Sequence, residues 1–243
     1  MAGVTMETDT RLGPAEPHDA AGGDDTRRRR LPSWPPSLPQ AVILVAALCL
    51  VAGVLGWRLA QDDHPGGGSV DAGFLEDMQT HHLQALEIGY AYLEHGSDPT
   101  LRHIARDIIS EQGIEVGQMR SVLSDWGLQS TPDPEGTAMA WMHEPHPAQQ
   151  MPGMATGADL DRLRSAQGVE ADDLFTQLMI RHHDGGIHMA DFVATDAESG
   201  NIRNFARGMA ASQRSEIGEI NAVRRQLGLD VVPFEFSPAR PTP

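Results

Sequence analysis

Apolar residues recur every three or four positions along two long stretches of this chain, Asp71 to Gly127 and residues 170 to 228. That spacing paints one apolar stripe along a helix. In the first stretch Phe74, Met78, Ala85 and Gly89 share a stripe, which predicts a helix from about Asp71 to about Glu94. Ser97-Asp98-Pro99 then supplies a capping residue ahead of a proline at the first helical position, so a second helix is expected to start there. Its stripe is Leu101, Ile104, Ala105, Ile108, Met119, Val122 and Trp126, and Gly127 stands where a left-handed terminating residue is wanted. The second stretch repeats the plan, with a cap at Ser199, a stripe through Ile202, Phe205, Met209 and Ile220, and a stop at Gly228.

The resemblance between the stretches is a true internal repeat. Displacing the chain by 101 residues aligns Phe74–Gly127 with Phe175–Gly228 without a gap and matches 12 of 54 positions. Among the matches are Met78/Met179, His81/His182, His82/His183, Arg102/Arg203, Gln112/Gln213 and Glu115/Glu216. A duplicated helical hairpin predicts an all-α fold: an antiparallel four-helix bundle over residues 71–228, with hairpins 71–127 and 170–228. The crossover, residues 128–169, reads mainly as a flexible loop. Within it Thr156 and Asp159 could cap a short helix that Gly168 ends.

The remaining chain does not read as core. Residues 1–40 are polar and proline-rich and are expected to form a disordered cytoplasmic leader. Residues 41–60 read as a transmembrane signal-anchor helix. Their apolar run Ala41–Trp57 would cover about 25 Å as a helix, close to a bilayer's hydrocarbon thickness. Arg27 to Arg30 just before it predict an N-terminus in the cytoplasm and a domain outside. A cleaved signal peptide is the rival, but no small-x-small site follows cleanly. Residues 61–70 form a glycine-rich tether, and 229–243 a proline-broken tail expected to pack loosely or not at all.

The formal charge is −16 and the chain contains no lysine, so the surface repels phosphate backbones and nucleic-acid binding is not expected. Cys49 is the only cysteine, which excludes disulfides and thiolate metal sites from the domain. No phosphate loop, nucleophile elbow or H-E-x-x-H helix occurs, and neither hairpin carries the Glu-x-x-His of di-iron bundles. The protein is expected not to be an enzyme. A metal-dependent redox enzyme stands third among the readings, and protein partners are not legible.

Candidate chemistry interrupts the stripes. Gln112 and Glu115, and again Gln213 and Glu216, fall inside apolar faces, and a carboxylate facing a core costs several kcal/mol unless it is paired. The adjacent pairs His81-His82 and His182-His183 border the interior of the facing helices, each pair following a methionine by one turn. Neutral imidazole suits copper, zinc and iron, and thioether adds a preference for Cu(I). Met78, His81, His82, Glu115, Met179, His182, His183, His188 and Glu216 are therefore candidate ligands, with copper as the expected ion. The crossover adds Met139, Met142, His143, His146, Met151 and Met154. The alternative is a structural or interaction module in which His and Glu hydrogen-bond in the core and methionines fill gaps. Both readings stay open at this point. Gly185 and Gly186, each costing about 1 kcal/mol relative to alanine in a helix, call for a close approach or a bound group.

The duplicated F-x-x-x-M-x-x-H-H, the later Q-x-x-E, Met151-Pro-Gly-Met154 and the run from Met179 to Ala190 together resemble the bacterial family called domain of unknown function 305. The likeness spans about Asp71 to Gly228. It implies a ferritin-like bundle and, because some members are copper-associated outside the cytoplasm, a role in copper sequestration or delivery. It implies that Met78, His81, His82, Met179, His182, His183 and His188 are ligands. Glu87 stands in the first unit where the second has His188, so the two candidate sites need not be equivalent.

Overall fold

The computed structural model describes residues 37–60, 65–129, 131, 133 and 135–234. Most of the expected leader, tether residues 61–64 and the tail beyond residue 234 lie outside the described residues. The chain divides into two units, Met1–Gln61 and Asp62–Pro243. In the first, helix α1 spans Leu38–Ala60. Its stretch Leu38–Trp57 is long and apolar enough to cross a membrane, and none of it is buried within the protein.

The second unit is built from α2 (Val70–His95), α3 (Pro99–Asp125), α4 (Gly157–Ser165), α5 (Val169–Asp196) and α6 (Gly200–Gln226). Helices α2 and α3 form one hairpin and α5 and α6 the other, and α2 packs along α5. The predicted four-helix bundle is the observed one. Local chemistry explains its ends. The Ser69 hydroxyl accepts from the Ala72 amide, and the Asp98 carboxylate accepts from the Thr100 and Leu101 amides with Pro99 leading the helix. Gly127 (φ 69°) and Gly228 (φ 72°) take the left-handed geometry that closes α3 and α6. There the Leu128 amide reaches back to the Leu123 carbonyl, and Leu229 to Arg224.

The cap of α3 is thus Asp98, while Ser97 turns to another partner and reveals that the repeat reaches further back than Phe74. Asp172, buried near the start of α5, accepts from the Ser97 amide, the Ser97 hydroxyl, the Asp98 amide and the Tyr92 hydroxyl. Its counterpart 101 residues earlier, Asp71, accepts from the Glu198 and Ser199 amides. Ser199 makes no side-chain cap of its own; its amide and that of Glu198 are held by Asp71 from the neighbouring hairpin. Each aspartate pins the other unit's turn, which sets α2 and α5 antiparallel. Replacing Asp172 by alanine strands the Tyr92 hydroxyl and two amides; a loss of about 2–3 kcal/mol is expected in denaturant titration, with an unchanged midpoint contradicting the latch.

The crossover is built structure rather than a flexible loop. Strands β1 (Thr137–Ala138) and β2 (His146–Pro147) pair antiparallel, and Thr156 and Asp159 form a reciprocal capping box on α4. That helix stops at Ser165; Gly168 (φ 58°) instead opens α5, its amide donating to the His95 carbonyl. Trp141 wedges edge-on against Phe74 and Phe192 and donates its indole N–H to Asp77. Gly73 admits it, since a Cβ there would lie 2.2 Å from the indole ring. The described part of the tail is also held: Asn221 exchanges two hydrogen bonds with Val232, and Val232 and Phe234 pack on the core.

Two apolar clusters fill the bundle. One holds Tyr92, Leu101, Ile108, Phe175, Met179 and Ile217; the other holds Phe74, Met78, Leu123, Val193 and Ile202. The paired histidines, each between a methionine of one cluster and a small residue of the next turn, make a polar belt between them.

Candidate metal centre

Four imidazoles meet where α2 crosses α5. His81, His82 and His183 are fully buried and His182 very nearly so. The rings of His81 and His182 overlap with centroids 3.8 Å apart, and each pair's second ring lies 6.3–6.5 Å from its neighbour. The geometry follows from the repeat: equivalent positions on antiparallel helices meet at the pseudo-twofold.

The partners of these rings define their protons. His81 Nε2 faces the Pro152 carbonyl at 3.2 Å and His182 Nε2 the His81 carbonyl at 2.9 Å. A carbonyl only accepts, so in both rings Nε2 carries the proton. Burial keeps the rings neutral: it is the main cause that lowers His81 and His82 to about 3, with neighbouring imidazoles adding to it, and it drives His182 well below its ordinary value. A neutral ring protonated at Nε2 has a bare lone pair on Nδ1. His82 Nε2 meets Glu115 at 2.8 Å and His183 Nε2 meets Glu216, so an ionised carboxylate imposes the same tautomer there. The Nδ1 atoms of His81, His82 and His183 are buried without a protein partner.

Both glutamates lie where the stripes place them, with side chains 14% and 13% exposed. Burial and then the Glu216 charge raise Glu115 to about 7. The Ser212 hydroxyl lowers Glu111, but burial and the charges of Glu216 and Glu115 outweigh it and leave that carboxyl raised. A groove of about 220 Å³ between α3 and α6, lined by Asp107, Glu111, Ser212 and Glu219 among others, has Glu216 in its wall. An acidic path thus reaches from solvent to the carboxylate that holds His183.

The Met151–Met154 element crosses α5 at the belt. A Cβ on Gly185 would sit 1.9 Å from the Pro152 carbonyl oxygen, and one on Gly153 2.3 Å from the Arg181 carbonyl oxygen. The glycine pair therefore has its explanation: Gly185 admits the crossover, and Gly186 admits the Gln213 amide, 2.5 Å from where a Cβ would be. Gly185→Ala is expected to cost about 1–3 kcal/mol of strain, against roughly 1 kcal/mol of helix propensity gained. A rise in melting temperature would contradict this packing.

Of the residues expected from sequence, the structure brings together His81, His82, His182, His183, Glu115 and Glu216. Met78 and Met179 are fully buried in opposite apolar clusters, flanking the belt. His188 stands apart from them, its side chain 29% exposed and bonded to Glu144 of the crossover. The methionines divide unevenly: Met78, Met119, Met139, Met142, Met151, Met189 and Met209 line one cluster and Met179 alone the other. Pro152, Gln84 (two bonds to the Ala155 backbone) and Asp77 escaped the sequence reading because they act through main-chain contacts of the crossover. Among the described residues, no three His, Cys, Asp or Glu side chains already converge as a metal cage.

A family model for DUF305, a domain of unknown function, matches residues 71–224. The chain belongs to the DUF305 family. A DUF305 protein of Streptomyces coelicolor, named as secreted, is 34% identical, with 69% of this chain and 99% of that one covered at a TM-score of 0.63. A DUF305 fragment from Deinococcus radiodurans is 30% identical, covering 65% and 96% at 0.55. CopM in its Cu(II)-bound form is 27% identical, covering 65% and 97% at 0.51. No curated relative matches the chain.

Proposed function

We propose that this DUF305 domain sequesters or delivers a transition metal, copper first, through His81, His82, His182 and His183. Glu115 and Glu216 support the rings from behind, and Met78 and Met179 supply thioether donors on either side of the belt. The carrying observation is the buried Nδ1 lone pairs backed by Nε2 bonds to carboxylates and carbonyls. Metal-binding histidines characteristically give their second ring N–H to such an acceptor. Bound copper would accept the Nδ1 lone pairs and, as Cu(I), suit thioether donors as well. The Cu(II) form of CopM, on the same fold, supports the choice of ion.

Helix α1 serves in this reading as a single-pass anchor with the N-terminus in the cytoplasm and the bundle outside. The relative named as secreted supports the outer location. The absence of a ready cage among the described residues favours a second reading, a metal-free module whose His–Glu pairs organise the core. Glu115→Gln with Glu216→Gln separates them. Copper affinity is expected to fall about 10–100-fold, the cost of removing carboxylate support from ligating histidines. Unchanged affinity in isothermal titration would favour the metal-free module.

A further inference from the structure

We infer that Gln84 is a positioning residue for the histidine belt: it ties the Met151–Ala155 turn of the crossover to α2 and thereby fixes the His81 tautomer that leaves Nδ1 free. The inference rests on the reading of the Nδ1 atoms as metal donors. The Gln84 carboxamide makes a matched pair of bonds to one residue of the turn. Its Nε2 donates to the Ala155 carbonyl at 2.9 Å, and its Oε1 accepts from the Ala155 amide at 2.7 Å. His81 lies three residues earlier on the same face of α2, and its Nε2 donates to the Pro152 carbonyl at 3.2 Å. Between these two contacts the turn is closed by the Met154 amide on the Met151 carbonyl at 3.1 Å. The side chain that holds Ala155 therefore also holds the carbonyl that His81 needs.

The repeat supports this role. Gln84 and Gly185 occupy equivalent positions, 101 residues apart, and both meet the same turn. On α5 the contact is main chain, since a Cβ on Gly185 would lie 1.9 Å from the Pro152 carbonyl oxygen. On α2 it is the carboxamide. The other three rings of the belt do not depend on the turn. His82 and His183 give their Nε2 protons to Glu115 and Glu216, and His182 gives its own to the His81 carbonyl. A carboxylate attracts a donor by its charge, whereas Pro152 offers a neutral carbonyl on a segment outside the helices. That carbonyl serves only while the turn is held. An imidazole without a fixed acceptor samples both neutral tautomers, and the form protonated at Nδ1 has no lone pair there to give.

The test is nitrogen NMR of the metal-free full chain in detergent micelles, with labelled histidine and the His81 signals identified by their loss in His81→Ala. Wild type is expected to show His81 in the Nε2–H form alone. Gln84→Ala is expected to turn it into a mixture of tautomers, while His82 and His183, held by glutamates, keep theirs. Gly185→Ala displaces the same turn from the α5 side and is expected to move the same His81 signals. Copper affinity of Gln84→Ala should fall about 10-fold, the low end for a partner that orients a ligating ring. An unchanged His81 tautomer in both variants would overturn the proposal, and so would a changed tautomer with wild-type copper affinity. A wild type that binds no copper would instead remove the metal reading, and the metal-free spectra would still decide whether Gln84 sets the ring.

Discussion

Alanine at His81, His82, His182 and His183 together is expected to lower the copper affinity of the Asp71–Gly228 fragment by more than about 100-fold. That exceeds what loss of supporting partners alone costs, because the variant removes the donor atoms themselves. Isothermal titration with Cu(I), Cu(II) and Zn(II) measures it, and a thermal melt of each protein shows that the bundle persists. The helix caps, the Asp71 and Asp172 latches and both apolar clusters are untouched by the four substitutions. Glu115 and Glu216 lose their partners, but both side chains reach the surface, 14% and 13% exposed, so water can replace the lost imidazole and the belt tolerates the change. Equal affinity in wild type and variant would remove the metal reading and leave the core-organising one.

A steep loss of stability in acid is the second large effect expected, for the metal-free fragment. His81 and His82 titrate near 3 when folded, chiefly because burial penalises the charged ring, and His182 is likewise driven far down. An unfolded histidine titrates near 6.5. Between about pH 6.5 and 3 the unfolded chain therefore takes up protons that the folded one refuses, and stability falls with pH. Glu115 acts in the opposite sense: raised to about 7, it takes its proton when folded before the unfolded chain does, which offsets part of the loss down to about pH 4.5. The decline is thus expected to set in below about pH 6.5 with the slope of roughly two imidazoles and to steepen to that of roughly three below about 4.5. Each suppressed imidazole contributes on the order of 1 kcal/mol per pH unit, and three together rival the roughly 5–15 kcal/mol that holds a domain folded. Melting temperature against pH tests this. The four-alanine variant should have a flatter profile, and coincident profiles would contradict the suppressed ionisation.

Much of this was legible because the repeat and the helical period speak for themselves. A shift of 101 residues aligns the His and Glu pairs, and the period puts Glu115 and Glu216 inside their stripes, which forces a partner. The partner proved to be the imidazole of the facing helix in each hairpin. The crossover was misjudged for a physical reason. Its order comes from glycine-admitted main-chain contacts and from single anchors such as Trp141 on Asp77, none of which leaves a periodic trace. Asp172 escaped for a similar reason: its partners are two amides and two hydroxyls from another segment, and a lone aspartate near a helix start reads as a solvated charge. His188 shared a helix with His183, yet a helix presents a residue five positions on to a different neighbour, here Glu144.

In the proposed site the buried Nδ1 atoms are the metal's ligands. Copper-edge X-ray absorption on the loaded Asp71–Gly228 fragment reads ligand type directly. Imidazole scattering from at least two rings per copper, lost when His81, His82, His182 and His183 become alanine, is the predicted result. A spectrum of oxygen donors alone, or one that the four substitutions leave intact, would contradict it.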